Sequence, residues 1–307
     1  MKGLQLAESY FNEYGMSIIR DKFSNYQETI AAGLIGDGSE CLTFDDDISR
    51  DHDWGPGFCF WLTEKDYAEI GQVLQDEYDE MPGKYKGFER NTSDWGKGRV
   101  GVFEIGAFYR GFIGRPDAPK TLSDWLRVPE TYLAACTSGK VFFDPLGKFT
   151  GIRQDLLQYY PEDVRLIRIA ARCMSAAQSG QYNLSRCVRR GELFAAQYAE
   201  TKFCADIMSL VYLLNRRYTP YYKWVHRGIS GLPILGNYMF KKVEEVVDLN
   251  DHREKQQLIE DISAAVINEL RTQGLSDSTS DFLLDHGPVI HDRITDEELR
   301  KRNVWIG

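Results

Sequence analysis

The chain has 307 residues, 43% of them apolar and 27% charged, with 46 acidic against 37 basic side chains and a formal charge of −9. That composition excludes wholesale disorder, and the acidic balance disfavours long nucleic acid while leaving room for a small nucleotide held through a cation. Six cysteines with no CxxC or other paired spacing point away from a zinc ribbon or a disulfide framework, and no apolar run approaches the roughly 20 residues of a membrane span, so reduced thiols and a cytoplasmic location are expected.

In chain order, residues 3 to 29 predict an amphipathic helix, with Leu4, Tyr10, Phe11, Tyr14, Ile18 and Ile19 near the helical period. "IAAGLIG" (30–36) reads as a strand stopped by Gly36-Asp37-Gly38, and "GFCFWL" (57–62) as a buried strand. Thr63 with Asp66 gives a capping-box-like start to a helix through Tyr67, Ile70, Leu74 and Tyr78. Residues 82–98 are rich in Gly, Lys, Asn, Ser and Asp, as in a loop or insertion. Residues 99–114 predict a strand central to a sheet, followed by a helix near 123–136 and a strand at 140–147. Beyond residue 150, helical periods at 161–178, 184–216 and 251–273 dominate. The pattern predicts an α+β domain over 1–150 and a helical domain over 151–307.

Between the first two strands lies "GDGSECLTFDDDISRDHDW", with five aspartates in nine positions. Like charges that close repel, so the run reads either as a solvated acidic loop or as a cation site. In an extended segment Asp51 and Asp53 would share a face with Cα atoms about 6.6 Å apart, close enough for one hard cation or a pair. Gly38 and Ser39, in a turn after a strand, would let backbone N–H groups approach a phosphate. Asp45, Asp46 and Asp47 read as spacer and turn residues.

Gly38, Ser39, Asp51 and Asp53, with this spacer, match position by position the signature of the DNA-polymerase-beta-like nucleotidyltransferase superfamily. A single-sheet domain followed by helices most resembles its small-molecule branch, which contains the aminoglycoside nucleotidyltransferases. Through "GDGSECLTFDDDISRDHDWGPGFCFWLT" and "LLNRRYTPYYKW" the chain is more similar still to a bacterial domain-of-unknown-function family of nucleotidyltransferase-like proteins. The resemblance implies a mixed sheet with flanking helices and two Mg²⁺ ions, replaceable by Mn²⁺, on Asp51, Asp53 and a third acid. Glu104 is the candidate for that acid, as ligand or base, against a simple pairing with Arg110. Asp144 is its rival, in a Pro-containing turn where Asp is common.

In the helical half, Lys202, Arg216, Arg217 and Lys223 occur with Tyr218, Tyr221, Tyr222 and Trp224. Lys202, Arg216 and Lys223 could hold a triphosphate and Tyr222 could stack on a base; helix-end charges and core aromatics are the plainer reading. Glu192 and Glu200 are candidate bases or solvated residues, and His286, His291 and Arg293 could close over a site. Walker, GxSxG and HExxH patterns are absent. The expectation is an enzyme moving a nucleoside monophosphate from an NTP, ATP first, to a hydroxyl or phosphate of a small molecule. The alternatives are a non-catalytic nucleotide-binding regulatory or antitoxin-like protein, and transfer to a protein or tRNA end.

Overall fold

The computed structural model describes residues 1–90, 92–94 and 96–307. The fold is α+β, and the chain divides into two compact units: Met1–Lys120 with Arg127–Gln158, and Thr121–Leu126 with Tyr159–Gly307.

The first unit is organised by a four-stranded mixed sheet of β1 (Ala31–Leu34), β2 (Cys59–Leu62), β5 (Gly101–Glu104) and β6 (Lys140–Phe143), in the order β5-β2-β1-β6. β1 runs antiparallel to β2 and β6, and β2 runs parallel to β5. All four residues of β1 and of β2 are buried, as a strand covered on both faces requires. Alternation sends Phe58, Phe60 and Leu62 to one face, where they meet Leu6, Tyr10 and Phe11 of the N-terminal helix and Leu74 of α3 (Glu64–Asp79). Each of those buried side chains contributes about 2 kcal/mol. Trp61 points the other way and stacks on Phe149 at 3.8 Å, with Phe108 edge-on at 5.3 Å. Gly33 permits this, because a Cβ there would stand 2.5 Å from the Lys140 carbonyl and 3.0 Å from the Trp61 ring.

The N-terminal helix comprises α1 (Gly3–Tyr10), a π turn (Phe11–Gly15) and α2 (Met16–Lys22). It ends before residue 29 because Phe23 leaves the helical region at φ −126°, ψ 34°. Helix α3 starts as its capping residues predict: Thr63 Oγ1 accepts from the Asp66 N–H at 3.2 Å and donates to the Asp66 carboxylate at 2.8 Å. The 82–98 segment carries a small hairpin, β3 (Lys84–Tyr85) with β4 (Phe88–Glu89).

The stretch 99–114 departs from expectation. Only β5 is extended, at the sheet's edge, and α4 (Ile105–Ile113) follows at once. Glu104 makes the switch: its carboxylate caps α4, accepting from the Gly106 N–H at 2.6 Å and from the Ala107 N–H, and Gly114 ends the helix at φ 73°. The helix expected near 123–136 is two, α5 (Leu122–Arg127) and α6 (Glu130–Thr137), parted at Pro129, and α7 (Lys148–Leu157) follows β6.

The second unit contains no strand among the described residues. α8 (Glu162–Ala176) continues through a π segment (Ala177–Leu184) into α9 (Ser185–Arg189). Gly191, at φ 75°, separates α9 from α10 (Leu193–Leu214). α11 (Tyr222–Ile229), α12 (Gly236–Asp248), α13 (His252–Thr272), α14 (His286–His291) and α15 (Glu297–Arg300) complete it. No helix among the described residues is long and apolar enough to cross a membrane. All six cysteines are free thiols; Cys187 is half-buried and the other five are buried.

Candidate functional site

The acidic run does not form a strand. After β1 the chain turns through residues 36–43, makes a short 3₁₀ turn at Ile48–Arg50 and bends through 51–53 before β2. Asp51 and Asp53 therefore share no strand face, and Asp53 adopts the left-handed conformation at φ 55°, which Asp tolerates better than most residues.

Each aspartate has its own partner. Asp45 is buried and accepts from the Gly3 N–H at 2.8 Å and the Trp54 indole N–H at 3.1 Å, fixing the start of α1. Asp46 accepts from the backbone of Ile48 and Ser49, holding the 3₁₀ turn, and Asp47 pairs with Arg50 at 2.9 Å. Asp51 is exposed, with its Oδ1 2.7 Å from His52 Nδ1.

Asp53 is buried at 5% exposure, and its two oxygens accept from the Ser93 N–H at 2.8 Å and the Ser93 hydroxyl at 2.7 Å. Burial pushes its carboxyl up, but these bonds and the nearby Arg99 outweigh burial and hold it below the usual aspartate value. The loop closes tightly here: a Cβ on Gly96 would lie 1.7 Å from Asp53 Oδ1.

The third-acid candidates are likewise occupied by local structure. Glu104 caps α4, and Asp144 accepts from the Gly147 N–H at 3.0 Å and the Thr150 N–H at 2.7 Å. Among the described residues no three His, Cys, Asp or Glu side chains are grouped to hold a metal ion. With Asp53 and Glu104 both saturated by backbone and hydroxyl donors, this arrangement does not fit a two-metal centre.

What the first unit does form is a cleft of about 360 Å³. Its lining includes the end of β1 and the turn after it, with Gly36, Asp37, Glu40 and Cys41, together with Arg90 and Arg99. Phe103 and one face of α4, where Ala107, Phe108, Gly111 and Phe112 recur at helical spacing, also line it. Gly36, at φ 153°, opens the turn, and Gly38 lets two groups share its α-carbon: a Cβ there would stand 2.5 Å from Glu40 Oε2 and 2.7 Å from Arg99 Nη2. Gly38 and Ser39 themselves do not line the cleft.

Arg99 pairs with Asp37 at 3.0 Å, and its carbonyl accepts from the Cys59 thiol at 3.4 Å. Arg90 donates to the Asp53 carbonyl at 3.1 Å and the Gly55 carbonyl at 3.3 Å, so the DHDWG turn holds a guanidinium that lines the cleft. Glu40 is buried at 6% exposure, and burial pushes its carboxyl up against the pull of Arg99 and Arg90. Asp37, Glu40, Arg90 and Arg99 escape a motif search; the one local signal is that Glu40 directly follows Gly38-Ser39.

Most of the candidates in the second unit have partners of their own. Lys202 pairs with Asp206 at 3.0 Å and Arg216 with Glu162 at 2.7 Å. Lys223 lies over the Trp224 ring at 4.8 Å, and the exposed Tyr222 packs on Tyr221. Glu192 is exposed at the head of α10, and Glu200 pairs with Lys255 at 2.7 Å. His286 is buried between Ser276 and Ser280, His291 is buried, and Arg293 pairs with Asp277 at 3.8 Å.

A domain-of-unknown-function family, DUF4037, matches residues 125–225. That stretch contains LLNRRYTPYYKW but neither the GDGS turn nor DHDWG. Among solved structures, a nucleotidyltransferase-like protein from Exiguobacterium sibiricum is similar, with 13% identity and a TM-score of 0.35 over 84% of this chain and 75% of that one. So distant a likeness carries no argument about the site, and neither match bears on the aminoglycoside-type branch. No curated protein matches the chain.

Proposed function

We propose that the first unit is a nucleotide-binding module, taking an NTP, ATP first, in the cleft between the β1 turn and α4. One observation carries this reading: two arginines, a glycine-opened turn and phenylalanines 103, 108 and 112 line the same cleft. Guanidinium groups suit phosphate oxygens and aromatic faces suit a base. The exposed Arg99–Asp37 pair is cheap to rearrange, since such pairs are worth about 0–1 kcal/mol.

Transfer of the nucleoside monophosphate to a small acceptor is the second reading. It is favoured by the DHDWG turn, which leaves Asp51 exposed and holds Arg90 in the cleft wall. It requires Asp53 and Glu104 to give up their present donors, so binding is the function this geometry supports best.

Calorimetric titration with each NTP, with and without Mg²⁺, tests both. Arg99→Ala should weaken ATP binding at least about tenfold, the scale of one lost charge-assisted contact, without loss of the cooperative unfolding transition. Equal affinity in that variant would move the site elsewhere. The Asp51→Asn, Asp53→Asn double variant, checked by thermal unfolding, separates the readings: retained ATP binding supports the module, whereas pyrophosphate release by the parent chain, with the nucleoside monophosphate recovered on an added acceptor rather than as free NMP, that disappears in the folded variant establishes transfer.

A further inference from the structure

We infer that Glu40 is a ribose reader: its carboxylate accepts a hydrogen bond from a ribose hydroxyl of the nucleotide, so the cleft prefers ribonucleotides to deoxyribonucleotides. This rests on the nucleotide-binding reading above and names the part of the ligand that the phosphate and base contacts leave unassigned.

Among the buried carboxylates of the first unit, Glu40 is the one that lines the cleft. Asp45, Asp53 and Asp66 accept from named donors, whereas the Glu40 carboxylate meets only its own backbone N–H among the described residues. Neither arginine donates to it: Arg99 pairs with Asp37, and the Nη atoms of Arg90 donate to the carbonyls of Asp53 and Gly55 while its Nε has no hydrogen-bond partner. The carboxylate lines the cleft beside Arg99: Glu40 Oε2 and Arg99 Nη2 would stand 2.5 and 2.7 Å from a Cβ placed on Gly38.

The ligand group it suits is a donor, because a second anion against a buried carboxylate would be repelled. A neutral hydroxyl meets the demand while leaving both guanidinium groups to the phosphates. The buried setting raises the worth of the bond, since a ligand lacking the hydroxyl leaves the acceptor unpaired.

The test titrates the full chain with ATP, 2′-deoxy-ATP and 3′-deoxy-ATP, and repeats the series with Glu40→Leu and Glu40→Gln, each checked by thermal unfolding. The parent chain should bind at least one deoxy analogue about tenfold or more weakly than ATP, the scale of a hydrogen bond to a charged group. Glu40→Leu should bind all three alike, and Glu40→Gln, which keeps an acceptor oxygen, should retain part of the preference. Equal binding of the three by the parent chain, or a preference that survives Glu40→Leu, overturns the ribose assignment and leaves nucleotide binding intact. No binding of any nucleotide overturns both.

Discussion

Asp53 and Glu40 are both buried carboxylates of the first unit, near the same two arginines, yet they do opposite things. Asp53 is saturated by Ser93 and clamps a loop, whereas Glu40 receives no donor from another described residue and faces a cleft. Their carboxyl groups shift in opposite directions for that reason, Asp53 down and Glu40 up. Burial alone therefore does not mark a ligand-binding carboxylate; the count of donors around it does.

Gly96 is where a substitution should disturb the Asp53 clamp most. A methyl group there would overlap Asp53 Oδ1, so Gly96→Ala should unseat the loop and cost about 3 kcal/mol in urea unfolding. A cost near zero would mean that Asp53 does not clamp the loop.

Ser93→Ala probes the same clamp more gently. It removes one of two donors, should cost about 1 kcal/mol, and should raise the Asp53 carboxyl from its depressed position. A depressed acid stabilises the fold above its unfolded value, ordinarily 3.8, and that contribution is lost as pH falls through the folded value. The acid limb of a stability–pH curve should accordingly move upward in Ser93→Ala, and an unmoved limb would contradict the role given to Ser93.

Glu40 carries the smallest effect and the opposite sign. A raised acid binds its proton more tightly in the folded state, so its contribution falls as pH rises from the ordinary value of 4.5 through the raised one. Glu40→Gln should therefore be more stable than the parent at neutral pH, by up to about 1 kcal/mol, and level with it below pH 4. Destabilisation at neutral pH would show that Glu40 has a structural partner after all.

Much of the first unit was legible because its signals are local. The apolar runs of β1 and β2 and the Thr63–Asp66 cap act within a few residues. The 99–114 stretch misleads because it is apolar on every face, and only the Glu104 carboxylate, bonding two and three residues ahead, divides strand from helix. The DHDWG segment misleads differently. Asp53 takes a left-handed turn to meet Ser93, forty residues away in the chain, and no spacing rule contains that contact. The partner of Arg216, Glu162, lies 54 residues away and is visible only in three dimensions, whereas Asp206 sits four residues after Lys202 on one helix and was within reach of the sequence.

The distribution of thiols gives the molecule a clock for its own opening. Cys41, Cys59 and Cys136 are buried in the first unit and Cys173 and Cys204 in the second, so the alkylation rate of each reports how often its unit exposes its interior. Cys41 also lines the cleft, and its thiol is pushed up by burial. A molecule seated there would shield one cysteine of the six directly, leaving a footprint that mass spectrometry can read without knowing what the molecule is.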